Sequence, residues 1–214
     1  MAMDEALLEN AGGRRLLRRF RWAGSPPYGT TFGYFVPAAA AEAAARARFG
    51  GRDLPLVRRP TGGGVVFHDG DLTFSFVFPW PRPLTPKMVY RSIHQGVQAG
   101  LRGAGVRTTL WPEAAFGTAS LCFSRCEPMD LAREDGTKVL GGALRKRRGA
   151  GLYQGSLRPE GLGLALERLW RALAEGLSLQ SREVFLPAGP GPEAEASARQ
   201  LASRYRSDDW NRKR

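Results

Sequence analysis

Short runs of alternating apolar and polar residues predict β-strands along most of the chain. Strands are expected in LLRRFRWAG, TTFGYFVP, LPLVRRP, GGGVVFH, LTFSFVFP, VRTTLWP and SLCF. The segment TKVLGGALRKRRGAGLYQGSL predicts two further strands joined by a basic turn. SPPYG, between the first two strands, has the composition of a turn.

Other segments carry their apolar residues at helical spacing. Helices are expected at residues 3–10, in AAAAEAAARARFGG, in PKMVYRSIHQGVQAGLRGAG, and around residues 162–177 and 192–205. Pro86 suits the first turn of the third of these helices. Because strands and helices mix without an internal repeat or a long linker, the pattern predicts an α+β fold. We expect a single domain over residues 1–214, with a mixed or antiparallel sheet flanked by helices.

Composition narrows the class of protein. The chain is 43% hydrophobic and 24% charged, as in ordinary globular proteins, and it has no apolar run of membrane-spanning length. MAMDEALLENAGG carries acidic residues and no long apolar stretch, so it is not a secretory signal. Two cysteines are too few for a disulfide framework and favour a reducing compartment, which indicates a cytoplasmic protein.

The net charge of +12 favours an anionic partner of some kind. Nucleic acid, an anionic surface and an acidic protein each fit a basic chain. The arginines are scattered along the sequence and lysines are few, which is also what a GC-rich genome produces. Charge alone therefore does not choose among these partners.

The glycine triplet in RRPTGGGVVFHDG is the first candidate functional element. Glycines allow a backbone to approach a ligand closely, and Arg58 and Arg59 in front of them can donate paired hydrogen bonds to a carboxylate or phosphate. The segment matches neither a Walker loop nor a dinucleotide-binding motif. From the residues alone, a ligand-binding loop and a tight hairpin with exposed arginines are equally good interpretations.

Few other residues suggest chemistry. His68 is followed by Asp69, which could orient it, whereas His94 lies in an amphipathic helix and is interpreted as structural. Two histidines and two cysteines make a zinc site improbable, and we expect no metal. Lys138 begins an apolar strand, where a lysine usually extends to solvent from the strand end; burial would instead lower its pKa and make it a polarising or proton-carrying group. Cys122 fits either a core position or a nucleophile.

At these residues the sequence resembles the biotin/lipoate A/B protein ligase family. VRRPTGGGVVFHDGDLTFSF is similar to the family's R-R-x-[ST]-G-G-G/R-x-x-x-H-D signature, and TKVLGGALRKRRGAGLYQGSL is similar to its K-[IV]-x-G-S-A-Q signature. MAMDEALL, GYFVP and RYRSDDWNRKR resemble its opening helix, its G-[YR]-F segment and its closing segment. The matches occur in order along nearly the whole chain. The resemblance implies that the protein attaches lipoyl or octanoyl groups to a lysine of a carrier domain.

Within the family, the details favour a cysteine-dependent octanoyltransferase over an ATP-dependent lipoate ligase. HDGDLTF resembles the H-D-x-E-L-T-[YF] of the transferases, whereas ligases usually have H-D-x-G-N. LCF at residues 121–123 lies where transferases carry their acyl-accepting cysteine. We also expect no C-terminal accessory domain. A transferase would require no cofactor, whereas a ligase would use ATP and Mg. A non-catalytic lipoyl-domain-binding module is a further alternative.

The resemblance implies a role for each matched residue. Cys122 would accept the octanoyl group as a thioester, and Lys138 would contact the acyl carbonyl and manage the proton during transfer. Substrate-binding positions would be Arg59, Thr61, Gly62, Gly63, Gly64, His68, Gly141, Gly142 and Ala143. Cys126 has no counterpart and is interpreted as structural.

The chain departs from the family pattern in four ways. Gly142 and Leu144 replace the Ser and Gln of G-S-A-Q, and Gln154-Gly155 replaces H-G. The linker between Cys122 and Lys138 is one residue longer. We also expect the family's first strand, before the opening helix, to be missing, which would expose a sheet edge.

The resemblance also implies partners. The donor would be acyl carrier protein, and the acceptor a lipoyl carrier domain such as the glycine cleavage H protein or a 2-oxoacid dehydrogenase E2. Because these carriers are generally acidic, a basic surface would attract them. We therefore expect no nucleic-acid or membrane partner, and we expect a monomer.

Overall fold

Nine strands and six helices form within the residues that the computed structural model describes, which are 1–23, 28–50, 55–112 and 126–213. The strands are β1 (Leu16–Phe20), β2 (Gly29–Phe32), β3 (Leu56–Arg58), β4 (Val65–His68), β5 (Leu72–Pro79), β6 (Thr109–Leu110), β7 (Leu131–Ala132), β8 (Lys138–Arg147) and β9 (Ala150–Leu157). The helices are α1 (Ala2–Glu9), α2 (Ala38–Phe49), α3 (Pro86–Gly103), α4 (Leu166–Ser181), α5 (Pro192–Arg206) and α6 (Asp208–Asn211). The predicted α+β class is confirmed.

Six strands form an antiparallel sheet in the order β1-β5-β9-β8-β7-β6. Successive residues of β5 point to opposite faces of this sheet. Phe74, Phe76 and Phe78 belong to the main core, which also contains the apolar residues of α3 and α4. Thr73 and Ser75 point the other way, so the second face of the sheet carries hydroxyl groups. This second face forms the floor of the cavity described below.

The remaining strands form a separate three-stranded sheet, β3-β2-β4, in which β2 and β3 are parallel and β2 and β4 antiparallel. The expectation of one sheet and of a strand throughout TTFGYFVP is therefore wrong. The strand ends at Phe32 because Gly33 packs directly on the glycine triplet, where a Cβ atom on Gly33 would lie 1.8 Å from the Gly63 carbonyl oxygen. The chain then turns and enters α2.

Helices α3 and α4 pack closely because glycines replace side chains at their crossing. A Cβ atom on Gly100 would lie 1.8 Å from the Ala172 carbonyl oxygen, and one on Gly176 would lie 2.1 Å from that of Gly96. The start of α3 is fixed by Thr85, whose Oγ1 accepts a hydrogen bond from the Met88 backbone N–H. The pair covers the aromatic face of the large sheet.

Several element boundaries differ from the prediction. Helix α4 begins at Leu166, four residues after the expected start, because Gly161 and Gly163 have positive φ angles of 73° and 67° that a helix does not accept. VRTTLWP forms a strand only at Thr109–Leu110, and the segment SLCF lies outside the described residues. The short elements β7 and α6 were not predicted, because two and four residues are too few to show a periodicity.

Two negative findings apply to the described part of the chain. None of its helices combines the length and apolar character needed to cross a bilayer. It also contains no group of three or more His, Cys, Asp or Glu side chains placed to hold a metal ion.

Candidate active site

A cavity of about 220 Å³ lies on the hydroxyl-bearing face of the large sheet. The glycine triplet and β4 border it on one side, and β5, β8 and β9 on the other. Seven of the predicted site residues line it: Arg59, Gly63, His68, Lys138, Gly141, Gly142 and Ala143. It is also lined by residues that were not predicted to belong to the site, including Phe20, Tyr90, Glu127, Asp130 and Ser156.

Lys138 is buried in the cavity wall and paired with a carboxylate. Its Nζ lies 2.6 Å from Asp130 Oδ2, and both side chains are almost fully buried. The other oxygen, Asp130 Oδ1, accepts a hydrogen bond of 2.6 Å from the Tyr90 hydroxyl, and the Glu127 backbone N–H donates to Oδ2 at 2.7 Å. Of the two alternatives for this lysine, the structure shows the buried one, with Lys138 as one half of an ion pair.

Tyr90 connects this ion pair to the strand that carries the second motif. Its hydroxyl oxygen accepts a hydrogen bond of 3.1 Å from the Gly142 backbone N–H while its proton is donated to Asp130. Burial, and next the negative charge of Asp130, hold the pKa of Tyr90 well above its usual value, so the phenol stays protonated. Neither Tyr90 nor Asp130 was predicted, because isolated Tyr and Asp residues carry no recognisable spacing.

Glycine is required at both positions of the Gly141–Gly142 pair in this chain. A Cβ atom on Gly141 would lie 2.8 Å from Lys138 Nζ, and one on Gly142 would lie 2.3 Å from the Tyr153 hydroxyl oxygen. The Tyr153 hydroxyl is held by a 2.7 Å hydrogen bond with His94 Nε2. Burial lowers the pKa of His94 to about 3, so this histidine is neutral, in agreement with its interpretation as structural. Tyr153 therefore fills the space that a serine would need at position 142.

The glycine triplet is held in shape by Arg59. Its guanidinium donates to the carbonyl oxygens of Gly62 and Gly64 at 3.0 and 2.9 Å, and to Thr31 Oγ1 at 2.8 Å. Arg58 does not belong to the cavity lining. It is completely buried and donates to the backbone carbonyls of Tyr34, Val36, Trp210 and Asn211. The expectations that Arg58 binds an anion, or that both arginines are exposed, are therefore wrong.

Thr61, Gly62 and Gly64 are not among the lining residues. Thr61 is buried behind the wall and donates a hydrogen bond of 2.8 Å to Gln154 Oε1. Gln154 Nε2 in turn donates to Asp4 Oδ2 at 2.7 Å, which ties α1 to the sheet. Gln154, at the position of the family's histidine, therefore links the first and second sequence motifs.

His68 is oriented by Asp71 rather than by Asp69. Its Nδ1 lies 2.9 Å from Asp71 Oδ2, and its Nε2 lies 2.9 Å from Thr31 Oγ1. Asp69, the expected partner, instead forms ion pairs with Arg48 and Arg158. The expectation was wrong because Asp69 follows the end of β4 and its side chain points away from the cavity wall, whereas Asp71 returns to it at the start of β5.

The His68–Asp71 pair has a defined protonation. Burial acts to raise the pKa of Asp71, but the hydrogen bond and charge of His68, with the hydroxyls of Ser156 and Thr73, outweigh it and lower the pKa. An ionised Asp71 can only accept, so the proton is on His68 Nδ1. His68 Nε2 shares a hydrogen bond with the Thr31 hydroxyl, whose oxygen also accepts from Arg59.

The structure describes Cys126, whereas Cys122 lies outside the described residues. The described chain resumes at Cys126, which is buried and whose Sγ donates to the Gly136 carbonyl oxygen at 3.5 Å. Burial, and next the charge of Asp130, raise the pKa of Cys126 to about 11, so this thiol is inert at neutral pH. The next residues, Glu127 and Pro128, line the cavity.

The sequence and the fold place the chain among the lipoyl protein ligase catalytic domains. The family model described as the lipoyl protein ligase A/B catalytic domain matches residues 1–176. Two solved structures share the fold at low identity. They are a lipoate-protein ligase A bound with ATP (TM-score 0.81, 23% identity, 99% of this chain and 92% of that one) and a bipartite lipoate protein ligase from Thermoplasma acidophilum (TM-score 0.77, 23% identity, 99% and 89%).

The names of curated relatives indicate which kind of enzyme the chain resembles. The octanoyltransferase LipM of Kyrpidia tusciae is 28% identical over 99% of this chain and 93% of its own length. Those of Geobacillus kaustophilus and Bacillus subtilis are 34% and 33% identical over 73% of this chain, which spans about 59% of their length. The chain belongs to the lipoyl protein ligase A/B catalytic domain family. The predicted family is thus confirmed, as is the prediction of an acyltransferase enzyme.

Proposed function

We propose that the protein transfers an octanoyl group from acyl carrier protein, through a thioester on Cys122, to the lysine of a lipoyl carrier domain. The observation that carries the proposal is the buried Lys138–Asp130 pair at the wall of a cavity bordered by both sequence motifs. The relatives named octanoyltransferase support the octanoyl chemistry. The cavity, at about 220 Å³, suits a short acyl chain.

In the first step, the Cys122 thiolate attacks the carbonyl carbon of the octanoyl thioester. A new S–C bond forms at Cys122, the C–S bond to the carrier breaks, and the released carrier thiolate takes up the proton that Cys122 lost. In the second step, the amine of the lipoyl-domain lysine attacks the enzyme thioester, an amide bond forms, and the Cys122 thiol is recovered with the proton that the amine loses. Both steps place negative charge on the carbonyl oxygen.

Lys138 is the group that we assign to that oxygen. An ammonium fixed by a carboxylate at 2.6 Å is held in one orientation before the substrate arrives, which is the requirement for stabilising a developing oxyanion. Asp130 and Tyr90 act through Lys138 and are positioning residues. The inert Cys126 does not compete with Cys122 for the acyl group.

The net charge of the chain supports the proposal that its partners are acidic proteins. The chain carries a net charge of +12, and long-range attraction raises the rate at which oppositely charged proteins meet. Because salt screens this electrostatic attraction, transfer from an acidic carrier is expected to be slower at physiological than at low ionic strength.

The test is a transfer assay that separates a transferase from a ligase. A lipoyl domain is incubated with the enzyme and either octanoyl-acyl carrier protein without nucleotide, or octanoate with ATP and Mg²⁺, and its mass is measured. We expect octanoylation only in the first reaction. Octanoylation only in the second would replace the proposal with a ligase, and a lipoyl domain unmodified in both would indicate a non-catalytic module.

A further inference from the structure

We propose that Phe20 sets the length of the acyl chain that the enzyme accepts. This inference rests on the proposed function. Four residues that line the cavity lie in one row across the large sheet, because Gly141 is the register partner of Ser156, Ser156 of Thr73, and Thr73 of Phe20. The floor of the cavity is thus a straight track perpendicular to the strands, with Gly141 at one end and Phe20 at the other.

The reacting end of the track is the Gly141 end. Gly141 lies against the Lys138 ammonium, since a Cβ atom on this glycine would be 2.8 Å from Nζ. A carbonyl oxygen bound by Lys138 therefore places the first carbon of the acyl chain beside Gly141. From there the row offers the chain a path toward Ser156 and Thr73, which also line the cavity.

The middle of the track carries two hydroxyl groups, those of Ser156 and Thr73. The Ser156 hydroxyl donates to Asp71 Oδ2, and the Thr73 hydroxyl donates to the same oxygen at 3.1 Å while its Oγ1 accepts from Trp22 Nε1 at 3.1 Å. Both hydroxyls are therefore satisfied within the wall. An alkyl chain can pass over them without leaving an unpaired donor or acceptor.

The far end is closed by Phe20 and is stiff. Trp22 contacts the Phe20 ring edge to face, with ring centroids 6.2 Å apart, and Trp22 itself stacks on His68 at 4.4 Å. The Arg18 guanidinium lies over the Phe20 ring, 4.6 Å from its centroid, and is fixed by Asp4 at 2.7 Å. Phe20 is thus held from two sides and acts as an end wall.

The length of the track matches eight carbons. Adjacent strands are about 4.8 Å apart, so the three steps from Gly141 to Phe20 cover about 14 Å. An extended acyl chain advances about 1.25 Å per bond, so the seven bonds of an octanoyl group cover about 9 Å. Contact between its terminal methyl and the Phe20 ring adds about 4 Å, giving about 13 Å. A decanoyl group needs about 2.5 Å more than this and does not fit.

The experiment measures kcat/KM for transfer of hexanoyl, octanoyl, decanoyl and dodecanoyl groups from acyl carrier protein to a lipoyl domain. Phe20→Ala is expected to raise the decanoyl-to-octanoyl ratio about tenfold or more, because two further methylenes become buried. Phe20→Trp is expected to shift the preference the other way, toward hexanoyl. Phe49→Ala is the matched control, since Phe49 is also half-buried but does not line the cavity, and its ratios should equal those of the wild type.

The outcomes separate this inference from the proposed function. Transfer by the wild type with ratios unchanged in both Phe20 variants overturns the role of Phe20 and leaves the transferase intact. No transfer by the wild type of any chain overturns the proposed function itself. Phe20→Leu is the second variant, to be used if Phe20→Ala does not fold, and it is expected to shift the ratio in the same direction to a smaller extent.

Discussion

Asp130 is predicted to be the residue that makes a charged lysine tolerable inside the cavity wall. The perturbation is Asp130→Asn, which keeps the size of the side chain and removes its charge. In the wild type, the carboxylate accepts hydrogen bonds from three donors: Lys138 Nζ at 2.6 Å, the Tyr90 hydroxyl at 2.6 Å and the Glu127 backbone N–H at 2.7 Å. In the variant, an amide faces the same three donors. An amide oxygen can accept from only some of these donors, and its NH₂ group adds two more.

The magnitude follows from the burial of the pair. Two unit charges 2.6 Å apart attract by about 6 kcal/mol at an effective dielectric constant of 20, and desolvation offsets part of this. Removing one partner of a buried pair leaves the other charge uncompensated, at a cost of about 3–5 kcal/mol. Since both side chains are almost fully buried, we expect Asp130→Asn to lower the free energy of unfolding by that amount.

Urea denaturation of four proteins tests the prediction: the wild type, Asp130→Asn, Lys138→Met and the double variant. The double variant should be more stable than the sum of the single effects implies, by about 3 kcal/mol, because it contains no unpaired charge. Asp135→Asn is the matched control. Its ion pair with Arg133 is solvent-exposed, so Asp135→Asn should change stability far less than Asp130→Asn does.

The reasoning is refuted if Asp130→Asn is no more destabilising than Asp135→Asn, or if the single effects simply add. Either result would mean that Lys138 does not depend on Asp130 for its charge. The positioning role assigned to Asp130 in acyl transfer would then have no physical basis.

Three further predictions concern other parts of the site. Gly142→Ala should destabilise the protein by about 1–3 kcal/mol, because the new Cβ would lie 2.3 Å from the Tyr153 hydroxyl oxygen. Gly62→Ala is the control and should change stability little, because no atom lies within 4 Å of its new Cβ. Equal effects of the two substitutions in urea titrations would contradict the packing. In a Cys122→Ser variant, Cys126 should react with iodoacetamide at pH 8 more than a hundredfold more slowly than a free thiol. The reason is that, with a pKa of about 11, only about 0.1% of Cys126 is thiolate at this pH. Rapid alkylation measured by mass spectrometry would contradict its burial. Because the folded-state pKa of Asp71 is lowered below 3.8, its contribution to stability is present above that pH and is lost as the pH falls through the lower folded-state pKa; the stability difference between the wild type and Asp71→Asn should therefore shrink as the pH falls from 5 toward 3, and a difference that does not shrink over this range would exclude this linkage.

Periodicity was sufficient for the long elements of the fold. Helix α3 and the β8–β9 hairpin were predicted almost to the residue, because an amphipathic stripe and a basic turn are local signals. The second sheet was not predicted, because β2 ends where Gly33 meets Gly63, a contact between residues 30 positions apart.

In the candidate site, too, residues in local motifs could be predicted and residues brought in by long-range contacts could not. Lys138, Arg59 and three of the five predicted glycines line the cavity, and they could be predicted because they belong to contiguous motifs. Asp130, Tyr90 and Phe20 were not, since each reaches the cavity through strand pairing or helix packing that no local pattern encodes. Asp71 was missed in favour of Asp69 because sequence adjacency does not tell which carboxylate turns back toward the histidine.

The central claim is that the acyl group passes through Cys122. Its most direct test is the intact mass of the enzyme after brief exposure to octanoyl-acyl carrier protein, without ATP and without a lipoyl domain. We predict a mass increase of one octanoyl group that neutral hydroxylamine removes and that Cys122→Ser abolishes, while Cys126→Ser retains it. An unmodified wild-type enzyme that nevertheless octanoylates a lipoyl domain, or an adduct that persists in Cys122→Ser, would contradict the account.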